Sequence, residues 1–387
     1  MKKALTLLLS IVLLAGFAVP YAGMAMAAPA QAAQSQGAGK TYHVLVGWED
    51  MKHGIEVNAF FPSALHIHVG DTVNWKANTM EIHTVTFLAG NPLPDFIVPA
   101  PEGQISPLML NPLAAFPTPL PGGQYDGSTY LNSGIISTDP GQVASFSLTF
   151  TKAGTYPYVC IVHGVSMAGT ITVEDLSKDI PSPSNMSGQT QKLIADQGAL
   201  IQASIQSAQA QMQRPIPNPD GSFTFHVLVG FSFGIVDIHQ FFPSRIRVAP
   251  GDKVVFSLSK SDMAPHTVTF LNGTPDPENF IVVPQPNALP LILINPQVLF
   301  PAQPGQPLTD QGYFNSGLMA PGSPNTSFTF TIGNVTGVLP YICLLHDEMG
   351  MNGKLVVTPR KIWPHDSDGP VLGPNGDPLL FIPLIQE

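Results

Sequence analysis

Most of this chain is written twice. HVLVG at 43–47 returns at 226–230, an offset of 183 residues, and FFPS at 60–63 returns at 241–244. HTVTFL at 83–88 returns at 266–271, Asn111-Pro112 as Asn295-Pro296, and YLNSG at 130–134 as YFNSG at 313–317. A duplication of this length means two copies of one structural unit, and small changes of offset put the insertions and deletions in loops. The 387 residues agree with that count at about 150 residues per domain.

Each copy reads as all-β. Short runs rich in Val, Ile, Phe, Thr and Tyr are bounded by Gly, Pro and Asn, with no long helical period inside. Leu65, Ile67 and Val69 alternate with His66 and His68, the pattern of a half-buried strand, and turns at this spacing predict a sandwich. A Pro-rich segment interrupts each copy, at 88–139 and 271–324. Loops of that length are usually functional or disordered, and an ordered flap over one end of each sandwich is expected. The predicted organisation is a first domain at 41–176, a linker with one helix at 177–222, a second domain at 223–359, and a Pro/Gly-rich tail at 360–387.

Residues 1–30 read as an export signal: Lys2 and Lys3, an apolar run from Ala4 to Val19, then the cleavage candidates Ala25-Met26-Ala27 and Ala28-Pro29-Ala30. Leu14-Ala15-Gly16 is followed by Phe17 where a lipidated Cys would stand. The expectation is a periplasmic or extracellular protein, soluble after cleavage and without stable membrane insertion. Only 11% of residues are charged and the net charge is −10, so there is no basic stripe for phosphates and nucleic acid is excluded as a partner.

Two cysteines in an exported chain suggest a disulfide, but each lies in the same local motif. His83 precedes Cys160 by 77 residues and His266 precedes Cys343 by 77, while His163 and His346 follow their cysteines by three. Met167 comes next in the first copy and Met351 in the second, aligned through Met-x-Gly, with Met349 as a competitor. A thiolate, two imidazoles and a distant thioether are the donors of a blue-copper centre. Structural zinc takes four strong ligands, and Met is not among them. His66 and His68 read as a solvated strand face, since Arg247 and Ala249 replace them in the second copy. His43 and His226 read as structural hydrogen-bonding groups, Met80 and Met263 as core fillers, and His53, His239 and His365, which lack counterparts, as surface residues.

At these residues the chain resembles the cupredoxin family, the plastocyanin, amicyanin and pseudoazurin type of blue copper protein. His-Thr-Val-Thr-Phe, preceded by Pro265 in the second copy, is similar to the family's Pro-His-x-Val-x-Phe segment, and Tyr-x-Cys-x-x-His followed by Met-x-Gly to its ligand loop. The resemblance implies two tandem Greek-key β-sandwiches and single-electron transfer. It implies two type 1 copper ions per chain, held by His83, Cys160, His163 and Met167, and by His266, Cys343, His346 and Met351. The exposed edge of His163 or His346 would be the electron exit, toward a redox partner protein such as a cytochrome or membrane oxidoreductase. Ile82 in place of Pro, a Cys loop one residue shorter in the first copy, and the long flaps depart from the family pattern. Two-domain copper oxidases and reductases place His beside the ligand Cys, whereas here the neighbours are Val159, Ile161, Ile342 and Leu344. An electron carrier rather than an enzyme is therefore expected. The alternatives are a copper-storage module, or a two-domain copper oxidoreductase with an additional interface metal site.

Overall fold

The structure, a computed structural model, describes residues 39–182, 192, 196–210 and 213–359. The expected export signal at 1–30 and the tail at 360–387 lie outside the described residues. The architecture is all-β. Alternation acts as anticipated in the strand Ala64–His68, where Leu65 and Ile67 are buried while His66 faces solvent.

A ten-stranded sheet runs through both copies. In the first copy it contains Thr41–Asp50 between Ile55–Phe61 and Thr72–Ala77, and in the second Phe223–Phe233 between Val236–Phe242 and Lys253–Leu258. The halves join where Ile55–Phe61 pairs antiparallel with Val236–Phe242, setting Glu56 opposite Asp237 and Val57 opposite Val236. The helix Gly198–Ala210 packs on that joint, and Ile201 and Ala208 bury against Ile55, Val57, Val236 and Ile238. Among the described residues, no helix is long and apolar enough to cross a membrane.

Each half completes its sandwich with a second sheet. In the first half this sheet carries Gly154–Cys160 and Gly164–Glu174, and in the second Gly337–Ile342 and Asn352–Val357. Between the sheets lie two separate apolar cores, one containing Trp75, Cys160 and Met167 and the other Phe256, Cys343 and Met351.

The Pro-rich flaps are ordered, and they carry strands that the Pro content hid. Ile97–Pro99 and Leu108–Leu110 from the first flap join Phe280–Gln285 and Ala288–Ile294 from the second in one four-stranded sheet, with Met109 opposite Leu293 at the seam. Pro99 ends its strand and Pro284 lies at the register shift between Val283 and Gln285, positions where a missing N–H is tolerated.

Candidate metal centres

The repeated motifs converge on two places. The Gly of HVLVG sits at a β-bulge in each half, where the pairing register shifts between Val46 and Trp48 and between Val229 and Phe231. Gly47 and Gly230 have φ of 73° and 63°. A Cβ on Gly47 would lie 2.8 Å from His83 Nε2, and one on Gly230 would lie 2.2 Å from His266 Nε2. These glycines make the room in which the buried imidazoles sit. Gly230→Ala is therefore expected to push His266 out of place and weaken metal binding at the second centre by at least about tenfold. The left-handed backbone adds about 1–2 kcal/mol of strain. A chelator-competition titration would measure this, and an unchanged affinity would contradict the steric account.

The Thr after each histidine ties the two ligand segments together. Thr84 N donates to Cys160 Sγ at 3.3 Å, while its hydroxyl accepts from Ile161 N at 2.8 Å. Thr267 repeats both contacts with Cys343 Sγ at 3.4 Å and Leu344 N at 2.8 Å. The NSG block braces the same strand, with Asn132 bonded to Thr86 and Ser133 to Val85 N, as Asn315 is to Thr269 and Ser316 to Val268 N.

In the first centre, Cys160 Sγ lies 3.9 Å from His83 Nδ1 and 3.5 Å from His163 Nδ1. In the second, Cys343 Sγ lies 3.7 Å from His266 Nδ1 and 3.5 Å from His346 Nδ1, and the two nitrogens are 3.0 Å apart. Donor triangles of this size surround a point about 2.0–2.3 Å from each donor, a metal–ligand distance for nitrogen and sulfur. Met167 and Met351 are both fully buried in the cores that hold the cysteines. Their alignment is physical as well as textual, because a Cβ on the Gly two residues on, Gly169 or Gly353, would collide with the ring of Tyr158 or Tyr341. Met349, 4% exposed, faces the space between the halves instead.

The electrostatics suit metal ligands. Burial would raise the Cys160 thiol, but His163 and His83 draw it well below its ordinary value and favour thiolate. Burial and the nearby His239 and His266 drive His346 well below the usual imidazole range, which leaves it neutral with a lone pair available. His83 is pushed up to about 10 because, against burial, Cys160 and Glu56 stabilise its cation. His266 reaches about 10 through Asp262 and Cys343, again against burial. The outer ring nitrogens lie against oxygens: His83 Nε2 hydrogen-bonds with Thr79 Oγ1 at 3.0 Å and lies 3.4 Å from Glu56 Oε1, and His266 Nε2 lies at ion-pair distance, 3.1 Å, from Asp262 Oδ2 without hydrogen-bond geometry. Such anchoring sets the tautomer that leaves Nδ1 for a metal. Copper would displace the extra ring proton that His83 and His266 hold in the metal-free chain, and the Cys160 thiolate, the neutral His346 and the cradle shaped around the donors fit such an ion.

His163, half-buried, and His346, the expected electron exits, face the joint between the halves. Both line one cavity of about 640 Å³ between the halves, walled by flap residues such as Phe96, Ile97, Phe280 and Val282. His346 is 4% exposed. Glu81, Asp95, Asp139, Glu278, Asp347 and Glu348 also line this cavity, with no Lys or Arg among the described residues that line it. Burial and the neighbouring Asp276 push Asp347 up from 3.8 to about 7. A raised carboxyl contributes stability that is fully present below pH 3.8 and is lost as pH rises through 7. Asp347→Asn should thus raise the melting temperature of the metal-free chain at pH 8 by about 2–4 °C, held to that size by solvent screening, and leave it unchanged at pH 3.5. Calorimetry at both pH values checks this, and an equal gain at both would contradict it.

Sequence reasoning missed four residues around the centres: Glu56, Thr79, Asp262 and His239. Without a counterpart in the repeat His239 reads as a surface residue, yet it is only 2% exposed, because Val236–Phe242 is paired along both edges where the halves meet. Met263, read as a core filler, is 59% exposed and lines the cavity. A usable signal existed in IEVNAFF and IVDIHQFF, where charged residues interrupt runs too apolar to be surface strands.

Residues 49–174, which span His83 to Met167, match the model of the copper-binding proteins of the plastocyanin/azurin family. Among solved structures, a reduced amicyanin variant is 25% identical over 35% of this chain and 82% of its own, with a TM-score of 0.21. A Cu(I) form of another amicyanin variant has the same four values.

Proposed function

From membership of the cupredoxin family, carried by the plastocyanin/azurin-type domain at residues 49–174, we propose that this chain is an exported electron carrier with one mononuclear type 1 copper centre in each half. The observation that carries this reading is the duplicated donor triangle, Cys160 with His83 and His163, and Cys343 with His266 and His346. Met167 and Met351 are the proposed distant axial ligands. Copper would supply one-electron chemistry between its two oxidation states. The protein's part is to hold thiolate and imidazoles in a dry core, keep the ring tautomers fixed through Thr79, Glu56 and Asp262, and exclude water by the flap sheet. The partner in this reading is a redox protein such as a cytochrome or membrane oxidoreductase.

One observation favours a second reading, a two-domain copper oxidoreductase. The ligand edges face a roofed acidic cavity, which suits a small cationic reductant better than a docked protein. Copper content and stopped-flow reduction test both. Two ions per chain and salt-dependent exchange with a protein donor support the carrier. Turnover of a small reductant with dioxygen would move the assignment to the enzyme, and metal uptake without redox cycling would move it to storage.

A further inference from the structure

The roof of the cavity between the halves is one face of the flap sheet. Phe280 pairs with Ile294 and Val282 with Ile292 in the second flap, and Ile97 pairs with Leu110 in the first. Alternate residues of a strand share a face, and all six of these side chains line the cavity. Val282 is 38% exposed there, and Met263, on the same wall, is 59% exposed. An apolar roof over about 640 Å³ suits a small molecule. Neither half forms this site alone, because the roof joins strands of both flaps at Met109 and Leu293.

The charges on the wall select the occupant. Glu81, Asp95, Asp139, Glu278, Asp347 and Glu348 outnumber the imidazoles of His163, His239 and His346, with no Lys or Arg among the described lining residues, so an anion is disfavoured. An inorganic cation needs oxygens that converge on one point. Among the described residues, none of these carboxylates belongs to a cluster of three metal-binding groups. Scattered carboxylates under an apolar roof match an organic cation instead, and Phe96 and Phe280 add rings of the kind that attract one.

The wall also holds acceptors that lack donors. His239 is 2% exposed and places Nε2 3.2 Å from Glu56 Oε2, so an Nε2–H given to that carboxylate leaves a lone pair on Nδ1. Among the described residues, that nitrogen and Asn279 Oδ1, from another residue lining the cavity, are buried without a hydrogen-bond partner. A primary ammonium carries the N–H donors that such atoms want.

We propose that this cavity is a binding site for a small primary organic amine in its ammonium form, with its apolar body against the flap sheet. The proposal rests on the acidic cavity that favours the oxidoreductase reading and deepens it, since the bound amine shares the cavity with the edges of His163 and His346.

The test titrates benzylammonium into the full chain, metal-free and copper-loaded, by calorimetry, with benzyl alcohol and benzoate as neutral and anionic probes of similar shape. One benzylammonium per chain is expected to bind in both forms, about tenfold more tightly than benzyl alcohol, with benzoate not bound. Asp95→Asn combined with Glu278→Gln should remove most of that preference and leave benzyl alcohol unchanged. Both side chains are exposed, and Asn111 and Asn295 hold these residues through backbone carbonyls, so the fold is not at risk. Val282→Lys, which sets a cation on the roof, should abolish benzylammonium binding. Equal affinity for the neutral probe, or a preference untouched by the variants, would overturn the proposal. Amine binding without turnover of a small reductant by the copper-loaded chain would keep the site and sink the oxidoreductase reading. Turnover by a chain with no preference for the cation would do the reverse.

Discussion

Cys160→Ser is expected to remove one of two thiolate-to-copper absorptions and Cys343→Ser the other, with the double variant colourless. Each thiol sits in its own core, and both are unpaired. A hydroxyl in place of sulfur is a hard donor with little covalent overlap, so intensity at that centre is lost rather than shifted. The copper ion itself is expected to bind about 100-fold more weakly or not at all, since the strongest ligand is gone. The chain should stay folded, because Ser is close to Cys in size and the backbone amides of Thr84 or Thr267 can donate to the hydroxyl as they do to sulfur. Absorbance at fixed copper loading decides the matter. A variant that kept full intensity would show that its cysteine is not a ligand.

The largest stability effect is expected at Trp75. It is fully buried, and its ring centroid lies 5.4 Å from that of Tyr158, 5.8 Å from Phe87 and 6.0 Å from Phe146. Trp75→Ala opens a cavity at the centre of this cluster and should cost about 3–5 kcal/mol, enough to unfold the first half or abolish its metal affinity. Trp75→Phe should cost less than about 2 kcal/mol, because the second half already packs Phe256 against Tyr341 at 5.2 Å in the corresponding place. Urea unfolding of the three proteins would measure both effects. Equal losses for Ala and Phe would mean that the indole contributes something other than volume.

The Trp75 comparison also indicates how the sequence could be read so far. Val73-Asn-Trp75 alternates apolar with polar while Val254-Val-Phe256 is apolar throughout, yet both bury the first and third positions. Alternation is a local property that follows from successive side chains pointing to opposite faces, so strands and core residues were legible without coordinates. The donor sets were legible for a related reason. Cys160 and His163 share one turn, as do Cys343 and His346, and the spacing to His83 and His266 is constant across the duplication. The flap strands were obscured by Pro, and their pairing with each other could not be anticipated from either flap alone.

A duplicated all-β chain, the two Cys-His-His sets and the residues of each core follow from periodicity and short spacings. That the sheets of the two halves fuse through Ile55–Phe61 and Val236–Phe242 follows from long-range packing. That pairing brings Glu56 to His239 across 183 residues, buries a histidine that reads as superficial, and turns both ligand edges toward one shared cavity. The physical reason is that an edge strand carries no local mark of its partner. Its unpaired amides and carbonyls accept any strand of matching register, and which one they meet is settled by how the whole surfaces pack.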